Sequence, residues 1–204
     1  MDDTRHPTFT LERIKRALDA HTPQPASAES FAALNAPGTT PRRAGVLCAL
    51  VEGACGLEVV LTRRVAHLRV HAGQVSFPGG RLDPEDADET AAAVREAHEE
   101  IGLPPERVEV LGRLSELPTI TGFYVTPVVA VVREPVPFVA NPDEVATIFQ
   151  VPVAWLFDDA NLVRTQREFQ GRRVAMYQFS WRDELIWGAT AKMIIDFKNV
   201  VLGH

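Results

Sequence analysis

From Gly79 to Leu103 the chain reads as a double glycine, an acidic stretch and a helix stopped at Gly102. Asp86, with Glu89 three residues later, predicts a capping-box start. Gly102 followed by Pro104-Pro105 predicts the stop. Ala91, Val94, Ala97 and Ile101 fall on one helical face, expected to pack on a sheet. Glu96, Glu99 and Glu100 fall on roughly the opposite face, with small Ala92 and Ala93 beside them. Residues three and four apart are neighbours on a helix surface, so three carboxylates so placed repel one another unless a cation sits among them. Oxygen-only ligands suit a hard divalent ion such as Mg²⁺ or Mn²⁺, which keeps several waters and takes phosphate oxygens from a substrate. Taken alone, such an acidic string is more often a solvated helix face than a site. Two neighbours reverse that balance. Gly79-Gly80 permits close backbone approach to a ligand, and Arg95 beside Glu96 can hold a carboxylate or contact a phosphate.

The rest of the chain sets the frame. Its 204 residues suit one domain with an appendage, or at most two small domains. A formal net charge of -6 argues against generic, charge-driven binding of nucleic acid. The start Met1-Asp2-Asp3-Thr4-Arg5-His6 is polar, unlike a signal peptide, and apolar runs such as Pro127 to Val132 are too short to span a bilayer. A cytoplasmic protein with no membrane partner is expected. Cys48 and Cys55 flank a predicted turn at Glu52-Gly53-Ala54 and are expected to be reduced thiols.

Residues 8 to 21 predict an amphipathic helix through Leu11, Ile14 and Leu18, followed by proline-containing loops. Residues 1–40 are therefore read as an N-terminal helical extension, and 41–204 as the main domain. Gly45–Val51 and Leu57–Thr62 predict a hairpin with a longer loop from Glu52 to Gly56. Further strands are predicted at Val75–Phe77, Val108–Leu114 and Val125–Val132. Val151–Leu156 reads as a turn into a short helix, Glu168–Ser180 as a hairpin around Gln170-Gly171-Arg172, and Trp187–Val201 as a helix. Strands and helices mix without regular alternation, which predicts an α/β (α+β) domain with a mixed sheet and helices on its faces.

The acidic helix resembles the signature of the Nudix hydrolases, G-x5-E-x7-R-E-U-x-E-E-x-G-U with U aliphatic. Arg95, Glu96, Ala97, Glu99, Glu100, Gly102 and Leu103 fit it throughout. The first half departs: Gly79-Gly80 implies a one-residue insertion, and the early glutamate is replaced by a nearby acid, Asp86 or Asp88. Upstream, Val60-Leu61-Thr62-Arg63-Arg64, Arg69, Gly73 and Phe77-Pro78-Gly79-Gly80 resemble the extra signature of the coenzyme A pyrophosphatase subgroup, L-L-T-x-R-S/A-x3-R-x3-G-x3-F-P-G-G. Val60 and Val65 are the two departures. Thr119–Gly122, Thr126-Pro127 and Trp187–Ala191 are also similar to that subgroup, so the likeness covers residues 43 to 195.

The resemblance implies an α/β/α sandwich and metal-dependent hydrolysis of the diphosphate of coenzyme A, giving 4′-phosphopantetheine and adenosine 3′,5′-bisphosphate. It implies Glu96, Glu99 and Glu100 as ligands of Mg²⁺ or Mn²⁺, and Arg95, Glu96 and Glu99 in catalysis. Arg63, Arg64, Arg69, Gly73, Phe77, Gly79 and Gly80 are then the substrate-binding set. The general base is open among Glu96, Glu99, Glu144 and Glu168. The residues themselves agree with a phosphate-rich substrate: from Val59 to Leu82 there is no acid, while Arg63, Arg64, Arg69 and Arg81 make the segment basic. His67 and His71 read as loop or packing residues. Rival readings are a pyrophosphatase for ADP-ribose, a dinucleoside polyphosphate or a nicotinamide dinucleotide, and a non-catalytic nucleotide-binding module on the same fold.

Overall fold

The computed structural model describes residues 9–54, 56–67, 71–134, 136–169 and 172–204. Arg69, Cys55 and the Gln170-Gly171 turn lie outside them, as does the chain start.

Strand β1 (Arg42–Gly53) is the axis of an eight-stranded mixed sheet. It runs parallel to β7 (Phe123–Val132), from Arg42 beside Phe123 to Leu50 beside Val131. On its other edge it pairs antiparallel with two strands in succession. Its first half takes β4 (Gly79–Arg81) and its second half takes β2 (Gly56–Arg64). The β1–β2 hairpin is tighter than expected, because pairing continues to Gly53 opposite Gly56. β3 (Val75–Ser76) and β8 (Val145–Pro152) add to β2, while β5 (Val108–Arg113) and β6 (Leu117–Pro118) add to β7. β8 is a strand the sequence reading did not predict. Its exposures run mixed rather than alternating, so the period-2 signal is weak. A separate three-stranded antiparallel sheet follows, with β10 (Arg172–Trp181) between β9 (Val163–Phe169) and β11 (Glu184–Trp187).

Alternation along the central strands splits the interior into two cores. Cys48 and Leu50 of β1 and Val125 and Val129 of β7 face one core, with Ile14 and Leu18 of α1 (Leu11–Ala20) and Ile194 and Phe197 of α5 (Gly188–Leu202). Leu47 and Ala49 of β1 and Val128, Ala130 and Val132 of β7 face the other, under Ala93, Ala97 and Ile101 of α3 (Glu89–Ile101). This is an α/β/α arrangement. The short helices α2 (Ala28–Ala32) and α4 (Val153–Leu156) close its flanks, the former through Phe31 against the Tyr124 ring. Burial pushes the Cys48 thiol pKa up, so this free cysteine packs as an apolar residue. No helix of the described residues is long and apolar enough to cross a membrane.

Two expectations for α3 are corrected. Its cap is Asp88, whose carboxylate accepts from the Ala91 N–H at 2.9 Å; Asp86 is used elsewhere. The buried face is also turned from the predicted one. Ala92, Ala93, Ala97 and Ile101 are fully buried, as are Glu89 and Glu100, while Ala91 and Val94 are only partly so. Close approach to β1 sets this rotation. A Cβ at Gly45 would lie 1.9 Å from the Glu89 carbonyl oxygen and 3.1 Å from the Ala93 nitrogen. The helix therefore seats its alanines on a glycine of the sheet.

Candidate active site

The site grows from where α3 meets β4 and the end of β2. The two glycines of β4 are close to their neighbours in two different ways. Gly79 has φ of +152°, and a Cβ there would meet the Gly45 carbonyl oxygen at 2.4 Å. At Gly80 a Cβ would sit 2.3 Å from Oε1 of Glu96. The double glycine thus lays bare backbone against the acidic face of the helix.

Glu100 is the most enclosed of the three signature glutamates, with 2% of its surface exposed. Oε1 accepts from Nη1 of Arg64 at 3.2 Å, and Oε2 accepts from the Gly79 N–H at 3.2 Å. Burial pushes its pKa up to about 7, against the opposing pull of the Gly79 N–H and Arg64, with Glu96 and Glu144 adding repulsion. Burial likewise raises the Glu96 pKa, offset in part by Arg95, and Glu99 and Glu144 add to the rise. Glu99 stands at the outer edge, with half of its side chain exposed.

Arg95 organises the outer acids. Its Nε and Nη2 donate to the two carboxylate oxygens of Asp86 at 3.0 and 2.9 Å, a bidentate pair. Nη1 donates to Glu96 at 3.2 Å and Glu99 at 3.1 Å, and Nη2 also donates to the Arg81 carbonyl at 3.1 Å. The Arg95 hydrogen bond holds the Asp86 carboxyl below the usual carboxylate range. Of the two acids left open by the sequence, Asp86 is the one that pairs with Arg95. Asp88 caps the helix and pairs with Arg113. The sequence reading placed Glu89 in a capping box with Asp86; it is instead buried at the helix start and pairs with Arg43 of β1. No local sequence feature marked that it would be buried against Arg43 of β1.

The predicted substrate set divides. Arg64 points to Glu100 and, at 3.9 Å, to Glu144. Arg63, its neighbour on β2, points to the other face, donating to Thr147 at 3.0 Å and pairing with Glu184 of β11 at 3.4 Å. Gly73 has φ of +68° in the turn that returns the chain to β3, a backbone role. Phe77 is 2% exposed and belongs to the core shared with α5. His71 shares a hydrogen bond with Gln74 at 2.7 Å and serves the same turn. Glu144 reaches the site electrostatically through Glu96 and Glu100, whereas Glu168 lies on β9 of the separate sheet.

Among the described residues, no group of three or more His, Cys, Asp or Glu side chains is arranged so as to hold a metal ion. The donor chemistry nevertheless fits a hard divalent ion. Glu96 and Glu100 are desolvated, mutually repelling carboxylates whose pKa values are raised, and Glu96 faces bare β4 backbone. An ion with few protein ligands and several waters suits such a half-open set.

A family model described as the NUDIX domain matches residues 41–172. An uncharacterized Nudix hydrolase, NudL, from Yersinia pestis (strain Pestoides F) is 40% identical over 157 residues, covering 76% of this chain and 77% of the relative. Its counterpart from Yersinia pseudotuberculosis serotype O:1b (strain IP 31758) gives the same figures: 40% over 157 residues, with 76% and 77% covered. A NUDIX hydrolase structure from Alicyclobacillus acidocaldarius superposes with a TM-score of 0.50 at 20% identity, covering 59% of this chain and 82% of that one. A MutT/nudix family protein from Enterococcus faecalis gives a TM-score of 0.50 at 19% identity, covering 96% and 75%. At these identities the two structures speak for the fold alone.

Proposed function

Because the chain belongs to the Nudix hydrolase family, we propose that it hydrolyses the diphosphate of coenzyme A to 4′-phosphopantetheine and adenosine 3′,5′-bisphosphate. One observation carries the reading. The two ends of the upstream motif close on a single signature carboxylate, Arg64 on one oxygen of Glu100 and the Gly79 N–H on the other. The segment that resembles a coenzyme A motif is thus joined directly to the acids of the helix, and it is the basic segment of an acidic protein.

Glu96, Glu99 and Glu100 are the residues proposed to hold Mg²⁺ or Mn²⁺, which supplies charge neutralisation of the diphosphate and a bound water of lowered pKa. Arg95 fixes the carboxylates of Glu96 and Glu99, so their positions are set before substrate arrives. Glu96 or Glu99 is proposed to accept the proton of an attacking water. The bare backbone of Gly79-Gly80 leaves room for phosphate oxygens beside it. Arg69 is proposed to recognise the 3′-phosphate. Residues 1–40 are proposed as an extension to a domain spanning 41–204, and the family match starts at residue 41.

The test is turnover of coenzyme A with magnesium, products resolved by mass, alongside 3′-dephospho-coenzyme A and ADP-ribose. Preferred cleavage of coenzyme A to the two named products is expected, with chelation of the metal abolishing it. Turnover of ADP-ribose with coenzyme A untouched would replace the substrate assignment. No product from any of the three would favour a non-catalytic module.

A further inference from the structure

We propose that Arg64 is a displaceable internal counter-cation, a positioning residue that holds Glu100 and Glu144 in the metal-free protein and gives up Glu100 when a divalent ion enters. The proposal rests on the reading of Glu100 as a metal ligand. Its geometry comes from the end of β2. Thr62 pairs with Ile148 and Arg63 with Thr147, but Arg64 pairs with Val145, so β8 carries an extra residue at this step. Such a bulge re-aims side chains. Here it brings Glu144, just before β8, beside Arg64 on the α3 side.

The hydrogen bonding of Glu100 is filled from two directions. One oxygen holds Arg64 at 3.2 Å and the other holds the Gly79 N–H at 3.2 Å. Gly79 is fixed by β4–β1 pairing and by glycine-only packing, so that donor stays where it is. Arg64 is the movable partner, since its guanidinium sits on a flexible stem. It is also incompletely satisfied, because Nε is buried with no hydrogen-bond partner among the described residues and Nη2 reaches Glu144 only at 3.9 Å. A side chain with one buried donor unmet is held by charge more than by fit. A divalent ion on the same carboxylate repels that charge, and the repulsion is strong because the carboxylate is desolvated. Arg64 thus makes buried Glu100 tolerable without metal, with partly exposed Glu144 as its second partner, and weakens the affinity for metal as a consequence.

The experiment is Mn²⁺ binding to the purified full chain without substrate, on the alkaline side of neutrality, for wild type, Arg64→Met and Arg64→Lys. Arg64→Met is expected to bind Mn²⁺ about fivefold more tightly, the scale of one nearby charge. Arg64→Lys is expected to stay within about twofold of wild type, because its charge is retained. Unchanged or weaker binding by an Arg64→Met protein with the wild-type circular dichroism spectrum overturns the proposal. Wild type supplies a second measurement that does not depend on that variant folding. The Arg64 Nε–H resonance, identified by its loss in Arg64→Lys, is expected to move on saturation with Mg²⁺, and a resonance that stays in place overturns the proposal. Neither titration contains coenzyme A, so failure of the substrate assignment leaves both results standing. Unaltered Mn²⁺ affinity in Glu100→Gln would overturn the metal reading and this proposal together.

Discussion

The two faces of the central sheet are built on opposite principles. Toward α5 and α1 the packing is aromatic: Phe9 against Phe157 with ring centroids 4.9 Å apart, and Phe157 against Phe197 at 5.2 Å, both edge to face. Toward α3 it is made of alanines seated on glycine, with backbone nearly in contact with backbone. Large rings bury much apolar area and stabilise the chain without demanding close register. Small residues bury little, yet they bring helix and strand close enough for backbone donors to reach carboxylates. Stability is thus concentrated on one side and the proposed site on the other, where acids such as Glu89 and Glu100 are buried.

If that division is right, substitutions on the two sides must fail in different ways. Glu100→Gln is expected to have the largest effect, lowering kcat for the proposed reaction by roughly a thousandfold while the protein stays folded, the scale seen on losing a key electrostatic stabiliser. Phe197→Ala, on the aromatic side, is expected to cost about 3–5 kcal/mol in stability. Its KM and kcat per folded molecule should stay at wild type, as denaturant titration and assay below the transition would show. Gly80→Ala is expected to lower kcat about a hundredfold, since the new methyl must displace the Glu96 carboxylate and misplacing a reacting group by about 1 Å has that scale of effect. Its thermal midpoint should change less than that of Phe197→Ala; the reverse order would break the comparison. Asp86→Asn is expected to lower kcat about tenfold with little change in KM, because Arg95 keeps Glu96 and Glu99 but loses its bidentate anchor.

Stability should also depend on pH. Glu100 has a folded-state pKa of about 7 against an ordinary value of 4.5. An acid with a raised folded-state pKa contributes stability that is full below its unfolded value and is lost as pH rises through the folded one. In chelator, wild type should therefore lose stability relative to Glu100→Gln between pH 4.5 and about 7, and hold a constant difference above that. A difference that does not vary across this window would mean that Glu100 is not desolvated as described.

How much of this was legible in the sequence follows the same division. The α3 segment announced itself, because its acids, its arginine and its stop are local features. α5 was legible from helical spacing, and the mixed sheet from the irregular order of elements. What could not be read depended on partners distant in sequence. Asp86 looks like a cap from its spacing to Glu89, but it is taken by Arg95, and Asp88 supplies the cap instead. The rotation of α3 is set by Gly45, more than forty positions upstream of the helix start, where nothing local marks it. Phe77 sits in a motif that invites a substrate contact, yet its ring is claimed by the core beside α5. Arg63 and Arg64 are adjacent and alike in sequence, and only strand alternation sends one to Glu184 and the other to Glu100.

The parallel pairing of β1 with β7 also orders events during synthesis. The apolar bed of α3 is made jointly by Leu47 and Ala49 of β1 and by Val128 and Ala130 of β7. A ribosome that has released residues only as far as Gly102 has exposed every signature acid without the strand that completes their support. The β1–β2 hairpin is local and can form early, but the acidic helix must wait for Phe123–Val132 to emerge. A nascent chain therefore carries its full set of signature carboxylates before it can seat the helix that presents them.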